Sequence, residues 1–138
     1  RQESEFQPSA LSPAGALGLM QVMPETAERL LRERGKAVPS PERFLDPSLN
    51  VALGAQYLRS MLDTFQERSA LAVAAYNAGP DAVKRWRERQ KDLELDLFVE
   101  QIPFSETRAY VMHVMGNFAR YRALGRPSIV TLPLSLKD

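Results

Sequence analysis

The chain has 138 residues, 44% hydrophobic and 25% charged, a globular composition long enough for one domain with a buried core. A formal net charge of +1 gives no strong field for nucleic acid, and no apolar run reaches bilayer length. With no cysteine there is no disulfide framework, thiol nucleophile or Cys-based zinc site, and the opening Arg1-Gln2-Glu3, without Met, reads as a processed form or excised domain.

In chain order, residues 1–6 read as the end of a helix, stopped by Pro8 and Pro13 with Ser9 and Ser12. Gly15 and Gly18 permit positive φ, so Ala14 to Gln21 is expected to form a turn or small irregular hairpin. Pro24-Glu25 opens a helix that ends near Gly35. Pro39, Pro41 and Pro47 punctuate a connecting loop, and Asp46 is an N-cap with Pro47 at the first helical position. The helix beyond carries Val51, Ala55, Leu58, Leu62 and Phe65 at spacings of three and four, which predicts a core-facing stripe.

Ser69 is expected to cap a helix from Ala70 to Ala78, apolar nearly all round and therefore central. Gly79-Pro80 breaks it, and Asp81 to about Gln90 follows as a charged helix with Val83 and Trp86 inward. Residues 94–101 form a short helix ended by Pro103. Ser105 is expected to cap the final helix, with Tyr110, Val111, Val114, Met115, Phe118 and Tyr121 on one face, closed by Gly125 and Pro127. The fold class is mostly α, one domain over residues 1–124 with a tail over 125–138.

Few chemistries are open to these residues. His113 is the sole histidine and reads as an ordinary helix residue; with no cysteine, no metal site and no cofactor is expected. No G-x-S-x-G, P-loop or dinucleotide fingerprint occurs. The basic run Lys84 to Lys91 around Trp86 reads as a solvated helix face rather than a nucleic-acid surface.

Carboxylate chemistry remains. If Leu17, Leu19 and Met20 walled a pocket around Glu3, desolvation would raise its pKa and suit it to general-acid work. The simpler reading of the residues alone is a solvated glutamate. Ordinary glycosidases use two carboxyl groups, and no convincing partner emerges. Glu5 points away from Glu3 on a helix, Glu25 and Asp46 are explained by helix starts, and Glu106 is open only by elimination. Tyr76 and Asn77, in Ala75-Tyr76-Asn77-Ala78-Gly79-Pro80, place a hydroxyl and an amide at the end of an apolar helix.

Four stretches occur in order: Glu3-Ser4; Gly18-Leu19-Met20-Gln21 with Met23-Pro24-Glu25-Thr26-Ala27; Ala75 to Pro80; and Ile102-Pro103-Phe104-Ser105-Glu106-Thr107-Arg108. Over residues 1–121 the chain resembles the catalytic domain of soluble lytic murein transglycosylases, the SLT family. The resemblance implies a lysozyme-like α fold with a small irregular β-hairpin beside the cleft. It implies non-hydrolytic cleavage of the MurNAc-β-1,4-GlcNAc bond of peptidoglycan, leaving 1,6-anhydroMurNAc ends. Glu3 would be the single acid and then base, which removes the need for a second carboxylate. Tyr76 would hold the Glu3 carboxyl, Met20, Gln21 and Glu106 would line sugar subsites, and Ser4 and Asn77 would support them. Peptidoglycan glycan strands would be the partner, the periplasm the location, and a helical domain would lie upstream. A goose-type-like hydrolytic muramidase and an inactive peptidoglycan-binding or scaffold domain are the competing readings.

Overall fold

The computed structural model describes residues 3–91 and 93–125. These residues are mostly helical, as expected, with α1 Pro24–Glu33, α2 Pro47–Thr64, α3 Ser69–Ala78, α4 Pro80–Arg89, α5 Leu95–Glu100 and α6 Ser105–Gly125. The chain divides into two compact units between Ser60 and Met61. The expected tail over 125–138 lies outside the described residues beyond Gly125.

In the first unit, residues 3–6 form a turn. Glu5 and Phe6 sit at φ 52° and 66°, the left-handed region that L residues do not propagate as a helix. The expected hairpin is reduced to two isolated antiparallel bridges, Leu11 to Leu17 and Leu17 to Val22. Leu17 and Val22 exchange both backbone hydrogen bonds, at 3.0 and 3.1 Å, around the turn that holds Gly18. Gly18 has φ +73°, and a Cβ there would lie 2.6 Å from the Asn50 side-chain nitrogen, so both backbone and space demand glycine.

Helix α1 starts at Pro24 as predicted and buries Ala27, Leu30 and Leu31. The loop after it contains a short 3-10 helix, Pro41–Leu45, which the prolines did not announce and which buries Phe44. Its Glu42 carboxyl is held below the usual carboxylate range, chiefly by a backbone hydrogen bond and next by the Ser40 hydroxyl. Asp46 caps α2 through its side chain, accepting the Leu49 N–H at 2.9 Å. Val22, α1, Phe44 and Leu53 make one core, with Leu17, Met20, Val38, Leu49 and Tyr57 packed against it.

The predicted stripe on α2 is displaced. Val51 is 44% exposed and Ala55 is exposed, Leu58 and Leu62 are half-buried, and Phe65, just past the helix end, is buried as expected. The face that is buried runs through Asn50, Leu53, Gly54 and Met61, about 100° round the helix, or one residue. Asn50 is the reason: its buried carboxamide is committed to three backbone groups, so the helix must turn that face inward.

In the second unit, α3 is buried at every position from Ala70 to Ala75 and packs against α4 and α6, the central place its composition predicted. Ser69 is its first residue and not its cap; Arg68 holds that position without a capping side chain. Gly79, at φ 84°, ends α3 and starts α4, and α4 turns Ala82, Val83 and Trp86 inward. The Trp86 and Phe104 rings pack edge to face, with centroids 5.1 Å apart and planes at 82°. Ser105 is likewise the first residue of α6, since the preceding Phe104 carbonyl accepts the Arg108 N–H. Of the expected α6 face, Val111 is buried and Tyr110, Val114 and Met115 are half-buried, whereas Phe118 is 42% and Tyr121 63% exposed. Arg108 reaches back from α6 to the carbonyls of Ile102 at 3.0 Å and Glu100 at 3.4 Å, closing the corner between α5 and α6.

Candidate active site

The residues singled out from the sequence fall in both units. In the first, Glu3 is half-buried in the N-terminal turn. That turn is tied down by the Ser4 hydroxyl, which donates to the Leu19 carbonyl at 2.9 Å, so the glutamate is fixed beside the glycine turn. Met20 donates its backbone N–H to Asn50 Oδ1 at 2.7 Å, and its side chain packs so closely on Gly54 that a Cβ there would overlap it. Gln21 occupies φ 46° and turns its Nε2 inward, donating to Gly18 O at 2.9 Å and Ala10 O at 3.2 Å. Its amide therefore holds the loop itself.

Behind this loop lies a residue the sequence reading passed over. Asn50 has no exposed surface; it accepts from Met20 N–H and donates to Leu17 O at 2.9 Å and Phe44 O at 2.8 Å. It joins α2, the turn and the 3-10 helix. The available signal was an asparagine just inside a helix whose start Asp46 already caps, a position where Asn is otherwise disfavoured.

In the second unit, Tyr76 is half-buried and Asn77 exposed at the end of α3. Asn77 and Glu106 share an open cleft of about 590 Å³, lined also by Ala78, Pro103, Phe104, Ser105 and Thr107. Thr107, 2% exposed, donates its hydroxyl to Asn77 Oδ1 at 2.6 Å. Thr107 is the second residue missed; its signal was a position four residues before Val111, on the same inward face. The cleft offers an amide and a carboxylate on firm backbone. No resolved group of His, Cys, Asp and Glu is placed to hold a metal among the described residues. Among them also, no helix is long and apolar enough to cross a membrane.

Solved lytic transglycosylases share the fold. One is the inactive glutamate-to-glutamine mutant of Slt from Pseudomonas aeruginosa, 39% identical with TM-score 0.84 over 100% of this chain and 22% of that one. Another is the 70 kDa soluble lytic transglycosylase of Escherichia coli, 41% identical with TM-score 0.86 over 91% of this chain and 21% of that one. The architecture is thus the mostly α, lysozyme-like fold of those enzymes. The family model for the transglycosylase SLT domain matches residues 1–99, and the chain belongs to that family. Curated relatives include the soluble lytic murein transglycosylase of Escherichia coli K12, 42% identical over 88% of this chain and 19% of its own length. The membrane-bound lytic murein transglycosylase C of Haemophilus influenzae is 34% identical over 87% of this chain and 40% of its own length. The chain thus spans about a fifth of the soluble relatives it matches.

Proposed function

We propose that this chain is the glycan-cleaving domain of a lytic murein transglycosylase, with Glu3 as its single acid and base. The observation that carries the reading is family membership together with the anchoring of Glu3: the Ser4 hydroxyl bond to Leu19 fixes the glutamate on the loop that presents Met20 and Gln21. The relative inactivated by a glutamate-to-glutamine change supports a glutamate in that role.

In the proposed reaction the Glu3 carboxyl protonates the oxygen leaving from the MurNAc anomeric carbon, and the glycosidic bond breaks. The resulting carboxylate takes the proton of the muramoyl 6-hydroxyl, whose oxygen closes on the anomeric carbon. The product is a 1,6-anhydromuramoyl end, and no water is consumed. Tyr76 is proposed to support the acid, on the motif match alone. Met20, Gln21 and Glu106 are proposed to line sugar subsites, with Ser4 and Asn77 supporting. The substrate is proposed to be peptidoglycan strands, and the site of action the bacterial cell envelope. A longer protein with a helical domain upstream and a catalytic domain over 1–124 completes the reading.

The test is product analysis. Purified peptidoglycan incubated with the protein should yield muropeptides one water lighter than hydrolysed ends, and Glu3→Gln should abolish turnover while the circular dichroism spectrum stays that of the wild type. Reducing muramic ends would assign a hydrolase; an unchanged rate in Glu3→Gln would remove Glu3 from the chemistry. Binding without cleavage by the wild type would favour a scaffold.

A further inference from the structure

The sequence motif around Asn77 explains why an amide stands at the end of α3, but not what orients it. Asn77 is exposed, and a free carboxamide on a surface turns over readily, exchanging its acceptor for its donors. Here the acceptor side is taken. Thr107 Oγ1 donates to Asn77 Oδ1 at 2.6 Å, a short bond from a residue only 2% exposed. A buried hydroxyl needs a partner, so the bond is held from both ends: Thr107 satisfies its donor, and Asn77 cannot flip without losing it. The Asn77 NH2 is then left as the donor face, in the same cleft as the Glu106 carboxylate. Thr107 follows Glu106 directly in the first turn of α6, so one backbone segment carries both residues.

We infer that Thr107 is a positioning residue: it locks the Asn77 carboxamide so that its N–H donors, in the cleft that Glu106 also lines, meet the acceptor of a neutral group such as the acetamido group or hydroxyls of a glycan. The inference rests on the proposed glycan substrate for its ligand, and on the hydrogen bond for its geometry. Thr107 itself touches no reacting atom. Its loss therefore affects binding and leaves the chemical step in place.

Three proteins decide it: wild type, Thr107→Val, which keeps the shape and removes the hydroxyl, and Thr107→Ser, which restores it. With soluble glycan strands, Thr107→Val should raise KM about three- to tenfold, the worth of about one net hydrogen bond, with kcat within about twofold. Thr107→Ser should bring KM back to within about twofold of wild type. The Asn77 side-chain amide resonances should move in Thr107→Val and return in Thr107→Ser. Unchanged amide resonances in Thr107→Val, or a wild-type KM, would overturn the inference. So would a loss of thermal stability and kcat with no change in KM, which marks a helix staple only. If the wild type turns over no glycan, the functional reading fails, and the amide spectra alone decide whether the lock exists.

Discussion

Replacing Asn50 by alanine removes the junction of the first unit, and the structure sets the size of the loss. The side chain has no exposed surface and makes three hydrogen bonds, to the N–H of Met20 and the carbonyls of Leu17 and Phe44. The Phe44 bond is fully buried, so its orphaned carbonyl costs about 1–3 kcal/mol. The other two are part-buried and open to water once released, which limits each to about 0.5–1.5 kcal/mol. The expected destabilisation is about 4 kcal/mol, a large share of the roughly 5–15 kcal/mol typical of a domain. Urea unfolding followed by circular dichroism measures it as a shift in midpoint. Asn50→Asp adds a check with a sign. A carboxylate there faces two carbonyls, so its folded pKa is raised above the unfolded value of about 3.9. Its deficit relative to wild type should be smallest below that pH and grow as pH rises through the folded pKa. An alanine variant within about 1 kcal/mol of wild type would refute the account of Asn50 as the junction.

Other perturbations test separate parts of the molecule. Gly54→Ala gains about 1 kcal/mol of helix propensity, but its Cβ would fall on Met20 Cβ, which has little freedom to move; overpacking of about 1–3 kcal/mol should win, and a raised melting temperature would refute the close contact. Burial raises the Tyr57 pKa above its ordinary value, with Arg29 opposing. Its share of stability is therefore fully present below about pH 10 and lost as pH rises through the folded value, so Tyr57→Phe should flatten the alkaline loss of stability seen in pH-dependent melts. Tyr76→Phe should lower peptidoglycan turnover while glycan binding persists, and a wild-type rate would leave Tyr76 a packing residue.

Much of the candidate site was legible as residue identity and little as arrangement. Asn77 and Glu106 stand far apart in sequence, yet they share one cleft because α3 packs on α6. The hydroxyl that orients Asn77 belongs to Thr107, thirty residues away, and no local pattern pairs them. Gln21 stood out by its motif, but the bonds from its Nε2 to Gly18 O and Ala10 O, which shape its loop, had no local signal.

Several helix boundaries were legible in the sequence, although Ser69 and Ser105 proved to be first helical residues and not caps. Proline at Pro24, Pro47 and Pro80, the Asp46 cap and the Gly79 break act through backbone geometry within a few residues, and each marks a real boundary. The all-apolar run of α3 likewise announced a central helix. Tertiary structure alone decided which side of α2 turns inward. Counting apolar residues chose Val51 and Ala55, but Asn50 could be buried once Leu17, 33 residues earlier, and Met20 and Phe44 supplied its partners. The same holds for α6, where Phe118 and Tyr121 continue an apolar pattern yet remain exposed. Periodicity records which residues tolerate burial; the long-range partners determine which of them receive it.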